Sequence, residues 1–97
     1  MYRIIDKNNT GKTRKLLEEC SSKNGIFVCA HPERVLEKCQ AYGIAPVEAI
    51  SYEQWYMVAR MGHGRPIEIS KDVYIDEIGK FVREFVPYLK GYTLTTD

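Results

Sequence analysis

The chain has 97 residues, of which 44% are hydrophobic and 28% charged. That size and balance suit one domain over 1–97 with a thin core, and exclude two domains or a disordered chain. Lys and Arg total 14 against 13 Asp and Glu, a net charge of +1, so no global field draws the protein towards nucleic acid or an anionic membrane.

Arg3–Asp6 is short, apolar and β-branched, and predicts a strand. Asp6–Gly11 is polar and turn-prone. Lys12–Lys23 predicts a helix with Leu16, Leu17 and Cys20 on one face, closed by Asn24-Gly25. Ile26–Ala30 is a continuous apolar run of strand length, the pattern of a buried parallel strand. His31-Pro32 opens a second helix, whose apolar stripe is Val35, Leu36, Cys39 and Tyr42 and whose end is Gly43. Val47–Ile50 reads as a short strand. Ser51 and Gln54 form a capping box before a helix over Tyr52–Met61. A flexible loop, Gly62-His63-Gly64-Arg65-Pro66, precedes Ile67–Ile69, which fits neither period. Val73-Tyr74-Ile75 predicts another buried strand. Ile78, Phe81, Val82, Phe85 and Leu89 follow helical spacing until Pro87 ends or bends the helix. Tyr92–Thr96 alternates and predicts a last strand.

Strands separated by helices imply βαβ units, a mainly parallel sheet and helices on both faces. Ligands of such sheets bind beyond the carboxyl ends of the strands. The loops after Ile5, Ala30, Ile75 and Thr95 are therefore the ones to inspect. No apolar run reaches the roughly 20 residues of a membrane span, and Met1-Tyr2-Arg3-Ile4-Ile5 lacks the organisation of a signal peptide. Cys20, Cys29 and Cys39 are an odd number with no CxxC pair to support zinc. Reduced thiols in a cytoplasmic protein are expected.

Two stretches carry chemistry. Asp6-Lys7-Asn8-Asn9-Thr10-Gly11-Lys12-Thr13 lies between a predicted strand and a predicted helix. It resembles the Walker A loop of P-loop NTPases, GxxxxGK[ST], at every defined position but the first glycine, where Asp6 stands. The resemblance implies that backbone N–H groups of Asn8, Asn9, Thr10, Gly11, Lys12 and Thr13 wrap a phosphate. It further implies that Lys12 reaches the β- and γ-phosphates and that the Thr13 hydroxyl ligates Mg²⁺. Val73-Tyr74-Ile75-Asp76-Glu77 resembles Walker B, in which the Asp holds magnesium and the Glu orients or deprotonates the attacking water. The alternative for this stretch is a strand followed by an acidic helix start, which the helix dipole favours anyway.

Together the motifs resemble the additional-strand, helicase- and ATPase-like branch of the P-loop NTPases, in truncated form and with a degenerate Walker A loop. The resemblance covers about residues 3–96 and implies a small three-layer α/β domain. Its implied strand order is Arg3–Asp6, Tyr92–Thr96, Val73–Ile75, Ile26–Ala30, with Thr95 or Thr96 approaching the γ-phosphate. Small phage or mobile-element proteins with a helicase-like nucleotide core look similar. The expected activity is ATP binding, with slow Mg-dependent hydrolysis through Lys12 and Glu77. The alternative is a non-catalytic interaction or regulatory module that keeps the fold without the nucleotide. Asp6 supports that alternative, as does a chain that ends where relatives continue into further strands. So does the want of a clear arginine finger, since Arg60 and Arg65 flank a glycine-rich loop and read first as solvated. Trp55 and Tyr56 read as core or interface aromatics, and Lys80 with Arg83 as a solvated helix face. Completion of the site by a neighbour would make the protein a homo-oligomer.

Overall fold

Ile26-Phe27-Val28-Cys29 points apolar side chains to both sides of its backbone, and such a strand needs cover on both faces. The computed structural model describes residues 1–5, 11–61 and 71–95, the side chains of 60 and 61 excepted. In it this run is β1 (Ile26–Cys29), the centre of a three-stranded sheet. β2 (Glu48–Ser51) and β3 (Val73–Ile75) flank it in the order β2-β1-β3, and both pair with it in parallel. Val28 lies opposite Ile50 on one side and Ile75 on the other.

The period-2 alternation of the strands divides the core in two. Phe27 and Cys29 pack with Leu17 and Cys20 of α1 (Lys12–Ser22) and with Val35 and Cys39 of α2 (Val35–Tyr42). Ile26, Val28 and Ile50 pack on the other face with Tyr52 and Trp55 of α3 (Tyr52–Met61) and with Phe81 and Phe85 of α4 (Ile78–Phe85). The described residues therefore form a helix–sheet–helix sandwich, an α/β architecture with helices on both faces as the strand–helix alternation implies.

Local signals in the sequence explain the element ends. Asn24 takes φ 52 after α1, the Gly25 N–H donates to the Cys20 carbonyl at 2.9 Å and the Asn24 N–H to the Ser21 carbonyl at 3.2 Å. This is a Schellman closure. Gly25 is also wedged against β3, where a Cβ would meet a Tyr74 ring carbon at 2.7 Å and the Asp72 carbonyl oxygen at 2.8 Å. α2 closes in the same way at Gly43, with the Ile44 N–H on the Cys39 carbonyl at 2.9 Å. The capping box opens α3 reciprocally: the Gln54 N–H donates to Ser51 Oγ at 3.1 Å and the Ser51 N–H to Gln54 Oε1 at 2.9 Å.

Two predicted strands do not form. Residues 3–5 are outside any strand and Ile5 is 71% exposed, while Asp6 lies outside the described residues. Residues 92–95 are likewise outside any strand, with Tyr92 80% exposed, and Thr96 lies outside the described residues. A short apolar segment takes strand geometry only when a neighbour pairs with it and a face accepts its side chains. Neither segment has both here. The turn after α4, through Pro87 and Tyr88 at φ 66, leads the last residues away from the helix. Of the implied order, the adjacency of Val73–Ile75 and Ile26–Cys29 is present; the other two places are not filled. The expected short strand at Val47–Ile50 forms one residue later, as β2.

Candidate functional site

Gly11 precedes α1 at φ 77, a left-handed conformation that glycine takes without steric cost. Its carbonyl accepts the first helical bond, from the Lys15 N–H at 3.1 Å. Lys12 and Thr13 are thereby the first two residues of α1. The helix lies against the sheet so that Thr13 faces the carboxyl end of β3. There the Thr13 hydroxyl donates to both oxygens of the Asp76 carboxylate, at 3.2 and 3.1 Å. The two motifs, 63 residues apart, meet in this contact.

Asp76 is held at its backbone as well. Its N–H donates to the Val28 carbonyl at 2.9 Å, continuing the sheet one residue past β3. Its carbonyl accepts the Tyr52 hydroxyl at 2.6 Å. Glu77 follows at φ 60 as the N-cap of α4, its carbonyl receiving the Lys80 and Phe81 N–H groups at 2.9 and 3.2 Å. Its carboxylate makes no capping bond and lies at the cavity rim. The second stretch is thus a strand end followed by an exposed acid at the N-cap of α4, a place the helix dipole also favours.

A cavity of about 210 Å³ opens beyond the strand ends, bounded by Thr13, His31, Lys38, Asp76, Glu77 and Lys80. Its position is the one parallel sheets reserve for ligands. Its size is below the roughly 300–1,000 Å³ of pockets that engulf a drug-sized molecule. A phosphate chain fits such a volume better than an entire nucleoside triphosphate. Burial pushes the Asp76 carboxyl above its ordinary range; the Thr13 hydrogen bond opposes this, the Glu77 charge adds to it, and Lys38 and Lys80 also oppose it. Burial likewise pushes the Cys29 thiol on the cavity wall up to about 11, so it is a neutral wall group rather than a nucleophile. All three cysteines are buried free thiols.

The structure brings Thr13, Asp76 and Glu77 to one cavity, with Thr13 bonded to Asp76. Lys12 stands one residue from Thr13 but is not among the residues bounding the cavity. Asn8, Asn9 and Thr10 lie outside the described residues, as do Asp6, His63, Arg65 and the Arg60 side chain. Lys80, read from sequence as part of a solvated face, reaches the cavity rim, because α4 begins directly after Glu77. Lys38 and Tyr52 carry no motif and were not legible as site residues. For Tyr52 one signal existed: a tyrosine in the first turn of an amphipathic helix, directly beyond a strand, buries its hydroxyl and must find it a partner.

A hydroxyl and a carboxylate at one point are hard oxygen donors of the type magnesium prefers. Among the described residues no three His, Cys, Asp or Glu side chains gather into a metal cage. An ion shared between two side chains and phosphate oxygens does not require one. No helix among the described residues is long and apolar enough to cross a membrane. No family model, curated protein or solved structure gives a significant match to the chain.

The raised Asp76 pKa has a consequence for stability. Relative to the unfolded chain the fold shifts Asp76 towards its neutral acid, so this contribution is fullest below the ordinary carboxyl range and is lost as pH rises through the folded value. Asp76→Asn, which stays neutral, should therefore melt higher than wild type near neutral pH. The difference should vanish in acid, where both side chains are uncharged. Melting curves from about pH 3 to about pH 8 measure it; a variant less stable than wild type near neutral pH, with the difference vanishing in acid, would show that the ion is favoured instead.

Proposed function

We propose that this chain binds ATP with Mg²⁺ through a degenerate phosphate loop and hydrolyses it slowly. The observation that carries the reading is the contact of Thr13 with Asp76 at the carboxyl end of a parallel sheet. Two side chains of the type that ligate magnesium come there from two separate motifs, each in the order the resemblance requires.

In this reading the N-terminus of α1 and Lys12 attract the phosphate chain. Thr13 and Asp76 would hold the magnesium ion, which when bound neutralises phosphate charge. Glu77, exposed at the rim, accepts a hydrogen bond from a water and can take its proton. Lys38 and Lys80 add positive potential around the cavity. No arginine from the described residues bounds it, consistent with slow turnover unless a second copy supplies one. Self-association belongs to the same proposal. Among the described residues the outer edge of β3 has no strand partner, and Ile78, Tyr88, Tyr92 and Leu94 are exposed.

A second reading has its own observation. Residues 3–5 form no strand, so the loop lacks the sheet anchor before it that the resemblance implies. A non-catalytic interaction module that keeps the α/β scaffold fits that feature.

Calorimetry of ATP binding, with and without Mg²⁺, separates the two. Wild type should bind more tightly with the ion, and Asp76→Asn should lose that gain. Glu77→Gln should retain binding and lose most of any hydrolysis. Absence of binding at millimolar ATP would leave the interaction module as the reading.

A further inference from the structure

We infer that Tyr52 is the positioning residue that holds the Asp76–Glu77 pair in its working geometry. The inference deepens the proposed nucleotide site and rests on it. Neither motif contains Tyr52; it enters from the start of α3, on the face of the sheet opposite α1.

Three facts point to the role. The Tyr52 side chain is fixed: the residue is only 4% exposed, and its ring meets Phe81 edge-to-face at 5.5 Å. Its hydroxyl is aimed at the peptide that joins the two acids, donating to the Asp76 carbonyl at 2.6 Å with the Glu77 carbonyl 3.5 Å away. The backbone it grips is unfavourable without help, since Glu77 sits at φ 60 and a non-glycine residue pays a steric cost there.

Asp76 is consequently clamped on three sides. The sheet holds its N–H through Val28, Tyr52 holds its carbonyl, and Thr13 holds its carboxylate. With the Asp76 carbonyl free, the peptide could rotate and Glu77 relax to negative φ. The Asp76 carboxylate would then swing off Thr13, and Glu77 would leave the cavity rim.

Tyr52→Phe in the full chain tests this, because it keeps the ring and removes only the hydroxyl. The first readout needs no ligand: NMR backbone shifts and the amide–α-proton coupling of Glu77, with the carboxyl carbon shift of Asp76. The second is ATP affinity with and without Mg²⁺. Expected are a Glu77 that leaves positive φ, an Asp76 carboxyl signal that moves, and amides of Ile26–Cys29 that stay in place. Affinity for ATP alone should be unchanged, while affinity for Mg-ATP falls about tenfold, the order of one lost hydrogen bond. Glu77 and Asp76 signals that superimpose on wild type would overturn the inference. So would shifts throughout β1 or a variant that does not fold, either of which would assign Tyr52 to the core alone. So would an undiminished magnesium effect on affinity. If wild type binds no ATP while Glu77 and Asp76 still move in the variant, the proposed function fails and the positioning of the pair by Tyr52 stands.

Discussion

Phe27→Ala should remove about 3–5 kcal/mol of folding stability. Phe27 is 1% exposed, in the central strand, and its ring lies among Leu17, Cys20, Val35 and Cys39 from the two helices on that face. Truncation loses the burial of the ring and leaves a void that neither neighbouring strand can enter, because both are tied to β1 by their backbones. A domain of this size has about 5–15 kcal/mol in total, so the variant should lose roughly a fifth of its stability or more. The urea midpoint should fall in proportion, with Phe27→Leu falling less. A loss below about 1 kcal/mol would mean that the α1–α2 face is not the main core.

Lys12→Ala should lower triphosphate affinity by at least about a hundredfold. Lys12 is half-buried at the first turn of α1, where its charge adds to the positive end of the helix. Charge-assisted hydrogen bonds contribute about 1.5–3 kcal/mol each, and two such bonds to a phosphate chain account for the factor. Titration of the variant with Mg-ATP and with tripolyphosphate reads it, beside Lys38→Ala. The cavity is bounded by Lys38 and not by Lys12, so the comparison is a sharp one. A large loss in Lys38→Ala with none in Lys12→Ala would move the phosphate chain to the α2 side and remove the Walker A assignment.

Much of the architecture was legible because its signals are local. A four-residue apolar run is buried on both faces wherever it lies, and β1 is the central strand. Asn24-Gly25, Gly43 and the Ser51–Gln54 pair end or start helices through bonds within six residues, so no distant partner had to be known. Thr13 and Asp76 were singled out for a different reason: each belongs to a short motif that resembles a known one, and the fold places Thr13 in the first turn of α1 and Asp76 directly after β3.

What needed the tertiary structure was every feature that depends on a distant partner. Arg3–Ile5 and Tyr92–Leu94 have strand-like composition, but a strand exists only where a neighbour's N–H and C=O groups are aligned with its own, and among the described residues neither segment is a strand. Lys80 read as a solvated helix-face charge, and nothing in the sequence marked Lys38, until the packing of α2 and α4 brought both to the same cavity as Asp76. Tyr52 read only as the start of a helix; only the crossing of α3 over the sheet put its hydroxyl 2.6 Å from the Asp76 carbonyl. By itself the sequence determined which segments are helix and central strand and which residues carry the oxygen donors, because propensity, capping and burial pattern act within a few residues. The placing of those donors against one another, and of a tyrosine behind them, was decided by packing between segments far apart in the chain, whose contacts leave no periodic trace in either segment.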